Sequence, residues 1–346
     1  MKLTFDGREL SFKEGQTVLD VARENGIYIP TLCYHAKTGQ ASRCRACVVE
    51  IEGMRGVQTS CSVPATDGMV VRGDTDHVNM VRITAVESLI SNGYHNCLTC
   101  ESNGDCELQD AVYKLGIKDY LITPEPEQPI DDSSPFIQID PNKCILCGRC
   151  VEACHESVVN EVLTVAMRGY HSKIVCDTGL PMAESSCVQC GECVQLCPTG
   201  AIVDKNSIGR GQSWELEQTD TTCPYCGVGC QITLHVDKDK NEIVKVEGKE
   251  VVPNYGRLCV KGRFGSDFVN HPDRLTTPLI KNKNGEFEKA SWDEALGLVA
   301  GKLAQYKGEQ FAGISSARMT NEDNYLLHKF TRVVMQTNNI DHCARL

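Results

Sequence analysis

No feature of this chain limits its fold more than its 21 cysteines. Nineteen of them fall in five tight groups, and only Cys176 and Cys343 stand apart. The N-terminus, MKLTFDGREL, has no apolar core of the kind a secretory signal carries, and no run approaches the roughly 18 apolar residues of a membrane span. A cytoplasmic protein is expected. In a reducing compartment disulfides are excluded, and clustered thiolates mean metal, either zinc or iron–sulfur. The formal net charge of −11 argues against nucleic acid or an anionic membrane as partner.

The 346 residues divide at changes of texture. Residues 1–78 alternate as strands (LTFDG, RELSF, ACVVEIEG, MVVRG) around a short helix, TVLDVARENG, and a cysteine-rich loop. Residues 79–120 hold a second unit. Its helix over 76–92 is expected to stop at Gly93 as the C′ glycine, and ELQDAVYKLG forms another. The Pro-, Asp- and Ser-rich stretch within 121–139 reads as a linker. Residues 140–208 contain two similar cysteine runs, an internal repeat. A polar connector over 207–220 leads into 215–271, with strands QITLHV and EIVKVEG. From 272 to 346, Ser291-x-x-Glu294 and Thr320-x-x-Asp323 open helices. Trp292, Ala295, Leu296 and Val299 mark one apolar side, Leu326, Leu327, Phe330 and Val334 another. FAGISS reads as a buried strand, so an α/β domain begins here.

The groups differ in spacing, and spacing selects the chemistry. Cys33, Cys44, Cys47 and Cys61 give one close pair and two distant ligands, which suits a planar [2Fe–2S] centre; zinc ribbons usually carry two CxxC knuckles. With SRCRACVVEIEG around them, they resemble the N-terminal [2Fe–2S] domain of the large iron–sulfur subunit of NADH dehydrogenase. That module, a ferredoxin-like β-grasp fold, also occurs in iron-only hydrogenases and NAD-linked formate dehydrogenases. Cys97, Cys100 and Cys106 need a fourth ligand, and His95 is the nearest candidate. Those enzymes carry a [4Fe–4S] cluster on one histidine and three cysteines here, usually with a wider gap after the histidine; Gly93 stands at that usual position. Another fourth ligand, with His95 facing solvent, is the alternative.

Cys144, Cys147, Cys150 and Cys154 give C-x2-C-x2-C-x3-C, and Cys187, Cys190, Cys193 and Cys197 repeat it. This is the bacterial two-cluster signature, in which the fourth cysteine of each run serves the other cluster. One [4Fe–4S] site should therefore use Cys144, Cys147, Cys150 and Cys197. The other should use Cys187, Cys190, Cys193 and Cys154. Cys223, Cys226, Cys230 and Cys259, in TTCPYCGVGC and GRLCVKGRFG, resemble the [4Fe–4S] domain that opens molybdopterin oxidoreductases. Lys261 matches that family's lysine between cluster and pterin; an ordinary exposed lysine is the alternative.

One [2Fe–2S] and four [4Fe–4S] clusters in series suit a relay of single electrons. The order of modules resembles the catalytic subunit of cytoplasmic NAD(P)- or ferredoxin-linked formate dehydrogenases. The resemblance implies a multidomain α+β protein and a Mo or W bis-molybdopterin guanine dinucleotide in the full-length chain. It also implies a flavin- and NAD(P)-binding iron–sulfur partner subunit in a hetero-oligomer, with ferredoxin or a hydrogenase subunit as further partners. In that family a segment like NNIDHCARL precedes the active-site selenocysteine or cysteine. No catalytic residue is thus expected before Leu346. Cys343 reads as a structural neighbour, and a UGA read as selenocysteine is expected at the next codon, which sequencing of the gene would check. The alternative is a non-catalytic electron-transfer subunit of a flavin-based oxidoreductase, hydrogenase or transhydrogenase complex.

Overall fold

The structure is a computed structural model and describes residues 1–39, 42–119 and 128–342. It is a mixed α+β arrangement: an N-terminal five-stranded sheet, a cysteine-rich middle of short elements, a three-stranded sheet, and a C-terminal set of helices and short strands.

The N-terminal strands β1 (Lys2–Phe5), β2 (Arg8–Ser11), β3 (Val48–Ile51), β4 (Val57–Thr59) and β5 (Val70–Arg72) form one sheet in the order β2-β1-β5-β3-β4. β1 and β5 run parallel and the other pairs antiparallel. Helix α1 (Val18–Glu24) crosses the sheet and buries Val18, Leu19, Val21 and Ala22. A Thr17–Asp20 capping box starts it. At its end Gly26, at φ 69°, and Ile27 donate to Arg23 and Ala22, a Schellman closure.

Helix α2 (Asp76–Ile90) caps on Thr75 and ends at Ser91, so Gly93 is not its C′ residue. A different constraint requires a glycine there. A β-carbon on Gly93 would lie 2.0 Å from the carbonyl oxygen of Asn142. The backbone of 140–143 packs directly against it, and Asn92 donates to the Cys144 carbonyl at 2.8 Å. Gly93→Ala should therefore cost about 1–3 kcal/mol by overpacking, read as a lower urea midpoint at unchanged slope. Helix α3 (Glu107–Lys114) ends in the expected glycine, Gly116 at φ 68°.

Strand β6 (Ile137–Ile139) pairs with β9 (Ile202–Asp204), enclosing the internal repeat. Between them lie the one-turn helices α4 (Arg149–Glu152) and α5 (Glu192–Leu196) and a hairpin, β7 (Leu163–Ala166) with β8 (Lys173–Cys176). Part of the expected linker falls outside the described residues. Its second half is fixed to the repeat: Asp131 accepts from the Met182 amide at 2.8 Å, and the buried Ser134 bonds Gln189 at 2.6 Å. Cys176 packs as a small apolar residue, 2% exposed.

The connector expected over 207–220 is partly a strand. β10 (Glu217–Thr222) joins β11 (Gln231–Asp237) and β12 (Glu242–Gly248) in a three-stranded sheet. All six β10 side chains are exposed, so no apolar alternation marked it. Helix α6 (Val260–Phe264) follows, then the hairpin β13 (Leu279–Lys281) and β14 (Phe287–Lys289).

The last elements are α7 (Trp292–Leu303), β15 (Gly313–Ser315), α8 (Asn321–Lys329) and β16 (Ile340–His342), with β15 and β16 parallel. The Ser291–Glu294 capping box and the Thr320 cap are formed. The apolar side of α7 is not buried, however: Trp292 is 68% and Leu296 58% exposed. FAGISS is a strand, yet Ile314 is 77% exposed, because no second layer covers it within the described residues. Cys343 lies outside the described residues.

Candidate iron–sulfur sites

The first four thiols are all buried and meet at a seam between two cores. Cys47 and Cys61 belong to the core of the β-grasp module, Cys33 and Cys44 to a core shared with Leu108, Ala111 and Cys147. The Sγ atoms of Cys47 and Cys61 lie 3.4 Å apart. The Arg43 and Cys44 amides donate to the Cys33 sulfur at 3.3 and 3.5 Å. Ser42 and Arg45 adopt left-handed φ values, winding the loop around the sulfurs. Hydrogen bonding from Cys44 draws the Cys33 thiol below its ordinary value, and Cys61 does the same for Cys47.

Cys97, Cys100, Cys106 and His95 line one cavity, closed by Lys143, Thr199 and Gly200 of the repeat. Nε2 of His95 is buried with no hydrogen-bond partner. Burial lowers its pKa to about 4, so the ring is neutral with a lone pair available. An orphaned imidazole nitrogen beside three thiols is the donor set a His/Cys3 cluster needs. Cys106 also caps α3, its sulfur accepting from the Gln109 amide at 3.5 Å.

The two runs of the repeat have matching local geometry. Leu146 and Gln189 both sit at left-handed φ, and their amides reach the Cys144 and Cys187 sulfurs at 3.4 Å. Gly148 and Gly191 start the two short helices at φ 84° and 71°. Each is held against an arginine from another module: a β-carbon on Gly148 would meet Arg43 at 2.0 Å, and one on Gly191 would meet Arg263 at 2.2 Å. Cys144, Cys147, Cys150 and Cys197 line one cavity together with Ile139, Ile145 and Ile202; Cys154 is not among its lining residues. Burial raises Cys144 and Cys147 to about 12, so their thiolates require a strong compensating positive charge. Cys154 instead exerts its charge on Cys187, Cys190 and Cys193. A turn of wider helix over Ala153–Ser157 carries Cys154 across, and His155 bonds the Leu163 carbonyl at 2.9 Å where the second run has a proline.

Cys223, Cys226, Cys230 and Cys259 act on one another as near charges. Cys223 is buried, while Cys226 and Cys259 are exposed. Lys261 lies two residues beyond Cys259 on α6 and is exposed. The same helix bridges two sites. Gly262 approaches the Cys223 sulfur, its β-carbon position 3.6 Å away, while Phe264 stacks on Phe136 at 5.1 Å. A cleft of about 510 Å³ opens at the ends of β15 and β16, lined by Ser316, Asn324, His328 and His342.

Two arginines that spacing rules gave no reason to single out lie between the modules. Arg263 is fully buried, donating to the Cys190 carbonyl at 2.9 Å, Gln195 at 2.7 Å and Glu192 at 3.3 Å. Arg149 is equally buried and pairs with Glu107. For Arg149 the only sequence signal was a charge beside a ligand cysteine. Cys33 and Cys44 share a core with Cys147, and Cys106 packs against the same core, so the first site, the repeat and the His95–Cys106 unit meet there.

Among the described residues, no three His, Cys, Asp or Glu side chains converge closely enough to hold a single metal ion. The sulfurs of Cys144, Cys147, Cys150 and Cys197 and those of Cys97, Cys100 and Cys106 line cavities instead. Clusters hold their ligands apart around a volume, and the orphaned His95 nitrogen and the buried thiols fit such groups.

Family models match along the whole chain. They are a 2Fe-2S iron-sulfur cluster binding domain (residues 1–76), the NADH-ubiquinone oxidoreductase-G iron-sulfur binding region (82–120) and a 4Fe-4S dicluster domain (143–201). The molybdopterin oxidoreductase Fe4S4 domain (216–271) and the molybdopterin oxidoreductase domain (274–346) follow. The chain is 38% identical over 352 residues to the alpha subunit of the NADPH-Fe(3+) oxidoreductase of Geobacter sulfurreducens, covering 100% of this chain and 40% of that protein. It is 37% identical over 349 residues to a G-type NADH-quinone oxidoreductase subunit of Rhizobium meliloti, again covering 100% and 40%. A Bacillus subtilis protein provisionally described as a formate dehydrogenase is 36% identical over 388 residues, covering 98% and 39%. The chain thus spans about two fifths of the length of these relatives. A solved NAD+-reducing [NiFe]-hydrogenase chain superposes with a TM-score of 0.55 at 37% identity, covering 59% of this chain and 87% of that one. The chain is of the molybdopterin oxidoreductase type with iron–sulfur domains, and is homologous to G-type NADH-quinone oxidoreductase subunits and to formate-dehydrogenase-like proteins.

Proposed function

We propose that this polypeptide conducts single electrons between a Mo- or W-bis-pterin site that oxidises formate and a flavin- and NAD(P)-binding partner subunit. The contiguity of the sites carries the reading. The Cys223 site touches α6, α6 packs on the Cys187–Cys193 loop, and the Cys147 loop shares a core with Cys33. When bound, the clusters accept and release one electron at a time. The residues named here supply the rest. Nineteen thiols and His95 are the donors, with Cys176 as packing only. Amides of Arg43, Leu146 and Gln189 point at sulfur and favour the more negative, reduced state. Apolar walls exclude water. Lys261, on the exposed rim beside Cys259, is the cation we place toward the pterin.

Formate, on oxidation to CO2, releases two electrons and one proton. A second reading omits formate: similar chains are described as NADPH-Fe(3+) and NADH-quinone oxidoreductase subunits at comparable identity. In that case the same wire joins a nicotinamide-oxidising partner to another acceptor. Among the described residues no helix is long and apolar enough to cross a membrane. A reducing cytoplasm suits so many free thiols, with ferredoxin or a hydrogenase subunit as an additional electron partner.

One experiment separates the readings. The full-length complex is purified anaerobically, assayed for iron, Mo and W, and mixed with formate or with NAD(P)H. Formate should bleach the visible iron–sulfur absorbance of a preparation containing Mo or W and about eighteen iron atoms per chain. Bleaching by NAD(P)H alone, with neither Mo nor W bound, selects the second reading.

A further inference from the structure

The two runs of the repeat match in backbone but differ in sign at one position. The residue between the glycine and the third cysteine is Arg149 in one run and Glu192 in the other, each with a side chain 2% exposed. Glu192 is fully answered: Arg263 lies at 3.3 Å and Lys37 at 3.4 Å. Arg149 is not. Its Nη1 and Nη2 donate to the two carboxylate oxygens of Glu107 at 2.5 and 2.6 Å. Its third donor, Nε, is buried without an acceptor. Buried guanidinium donors are rarely left unpaired, because desolvation is then uncompensated.

The surroundings narrow what accepts that hydrogen. Arg149 sits between Gly148 and Cys150, in the stretch whose neighbours line the Cys144–Cys147–Cys150–Cys197 cavity. Cys147 and Cys197 are, after Glu107, the charged groups that act on it most, and it in turn acts on Cys33. Glu107 follows the ligand Cys106 directly and is half exposed, so its charge is partly screened by solvent. The guanidinium therefore stands at the junction of three sites, with its Nε–H unused.

We propose that Arg149 sets reduction potential: its Nε–H donates to a sulfur of the cluster held by Cys144, Cys147, Cys150 and Cys197, and its charge stabilises the added electron there and at the neighbouring Cys33 site. The proposal rests on the reading that these sites hold iron–sulfur clusters. Hydrogen bonds to sulfur and nearby positive charge both raise a cluster's potential. Glu107 opposes the effect, so the fork is a balanced pair whose members shift the potential in opposite directions. Glu192, Arg263 and Lys37 make a different balance in the other run.

The test is an EPR-monitored redox titration of the full-length, anaerobically purified protein. Arg149→Met keeps volume but removes charge and donors. It should lower the affected midpoint by about 59 mV or more, a tenfold change in the reduced-to-oxidised ratio of a one-electron couple at fixed poise. Arg149→Lys, which keeps charge without the planar fork, should fall between Arg149→Met and wild type. Glu107→Gln should move the midpoint upward. The cluster of the Cys223 set, whose near charges are its own cysteines, should hold its potential. Shifts of opposite sign in Arg149→Met and Glu107→Gln support the proposal. Equal-sign shifts, or none with the signals intact, overturn it and leave Arg149 a structural clamp. If Arg149→Met fails to assemble, an unmoved or lowered midpoint in Glu107→Gln alone overturns it. A wild-type protein without any iron–sulfur signal would instead remove the cluster reading on which it stands.

Discussion

Stripping iron and sulfide from the purified protein should unfold residues 137–204 while leaving 1–76 folded. The repeat has little else to hold it. Its regular structure amounts to two short ladders and two one-turn helices. Its small core mixes Cys150, Cys176 and Cys193 with Ile137, Leu163, Met182 and Ile202, and Cys154, Cys187 and Cys197 pack against it partly buried. Without a metal those sulfurs become buried thiols lining a void. Because such a site is not formed in the unfolded chain, its binding free energy is folding free energy, on the order of 10 kcal/mol for structural metal sites. The β-grasp module differs. Leu3, Phe5, Leu10, Val18, Leu19, Val49 and Val71 pack around one another, and only Cys47 and Cys61 enter that core. Limited proteolysis of the metal-free protein should therefore cut within 137–204 and spare 1–76. Protease resistance of the repeat in iron-free protein would contradict the account.

Paired cysteine substitutions should show a crossed, non-additive loss of iron. Cys144 and Cys197 line one cavity. Cys144→Ala and Cys197→Ala together should then lose no more iron than either alone, about four atoms or fewer, because one cluster is already gone. Cys154→Ala combined with Cys197→Ala damages both clusters and should lose up to about eight. The reverse pattern, with Cys154 and Cys144 non-additive, would mean that each run keeps its own fourth cysteine. Iron assay and EPR spin quantitation on anaerobic protein read the outcome directly.

Much of the local structure was legible because it rests on short-range rules. The Ser291 and Thr320 caps form as read, since a hydroxyl three residues before an amide needs no distant partner. Gly116 ends α3 because a left-handed residue was needed where glycine stood. Gly93 was misread for the opposite reason. Its role is a close approach to Asn142, about fifty residues away in sequence, and nothing local marks that. Strand β10 was missed because an edge strand with six exposed polar side chains carries no periodic signal. The apolar side of α7 and the apolar run read as the buried strand β15 were both recognised, yet apolar patterning does not say whether a second layer is present.

The sequence by itself determined the donors and their grouping: thiols at cluster spacing, one histidine beside three of them, and the order of the modules. Those are facts of covalent proximity, since ligands two or three residues apart must share a loop. Only the tertiary structure decided which sites pack together, that Cys33 and Cys147 share one core, and that Arg149 and Arg263 are buried between modules. Pairings such as Glu107 with Arg149 bridge segments with no fixed spacing, and burial turns an ordinary surface charge into one that a neighbouring redox centre feels in a low dielectric.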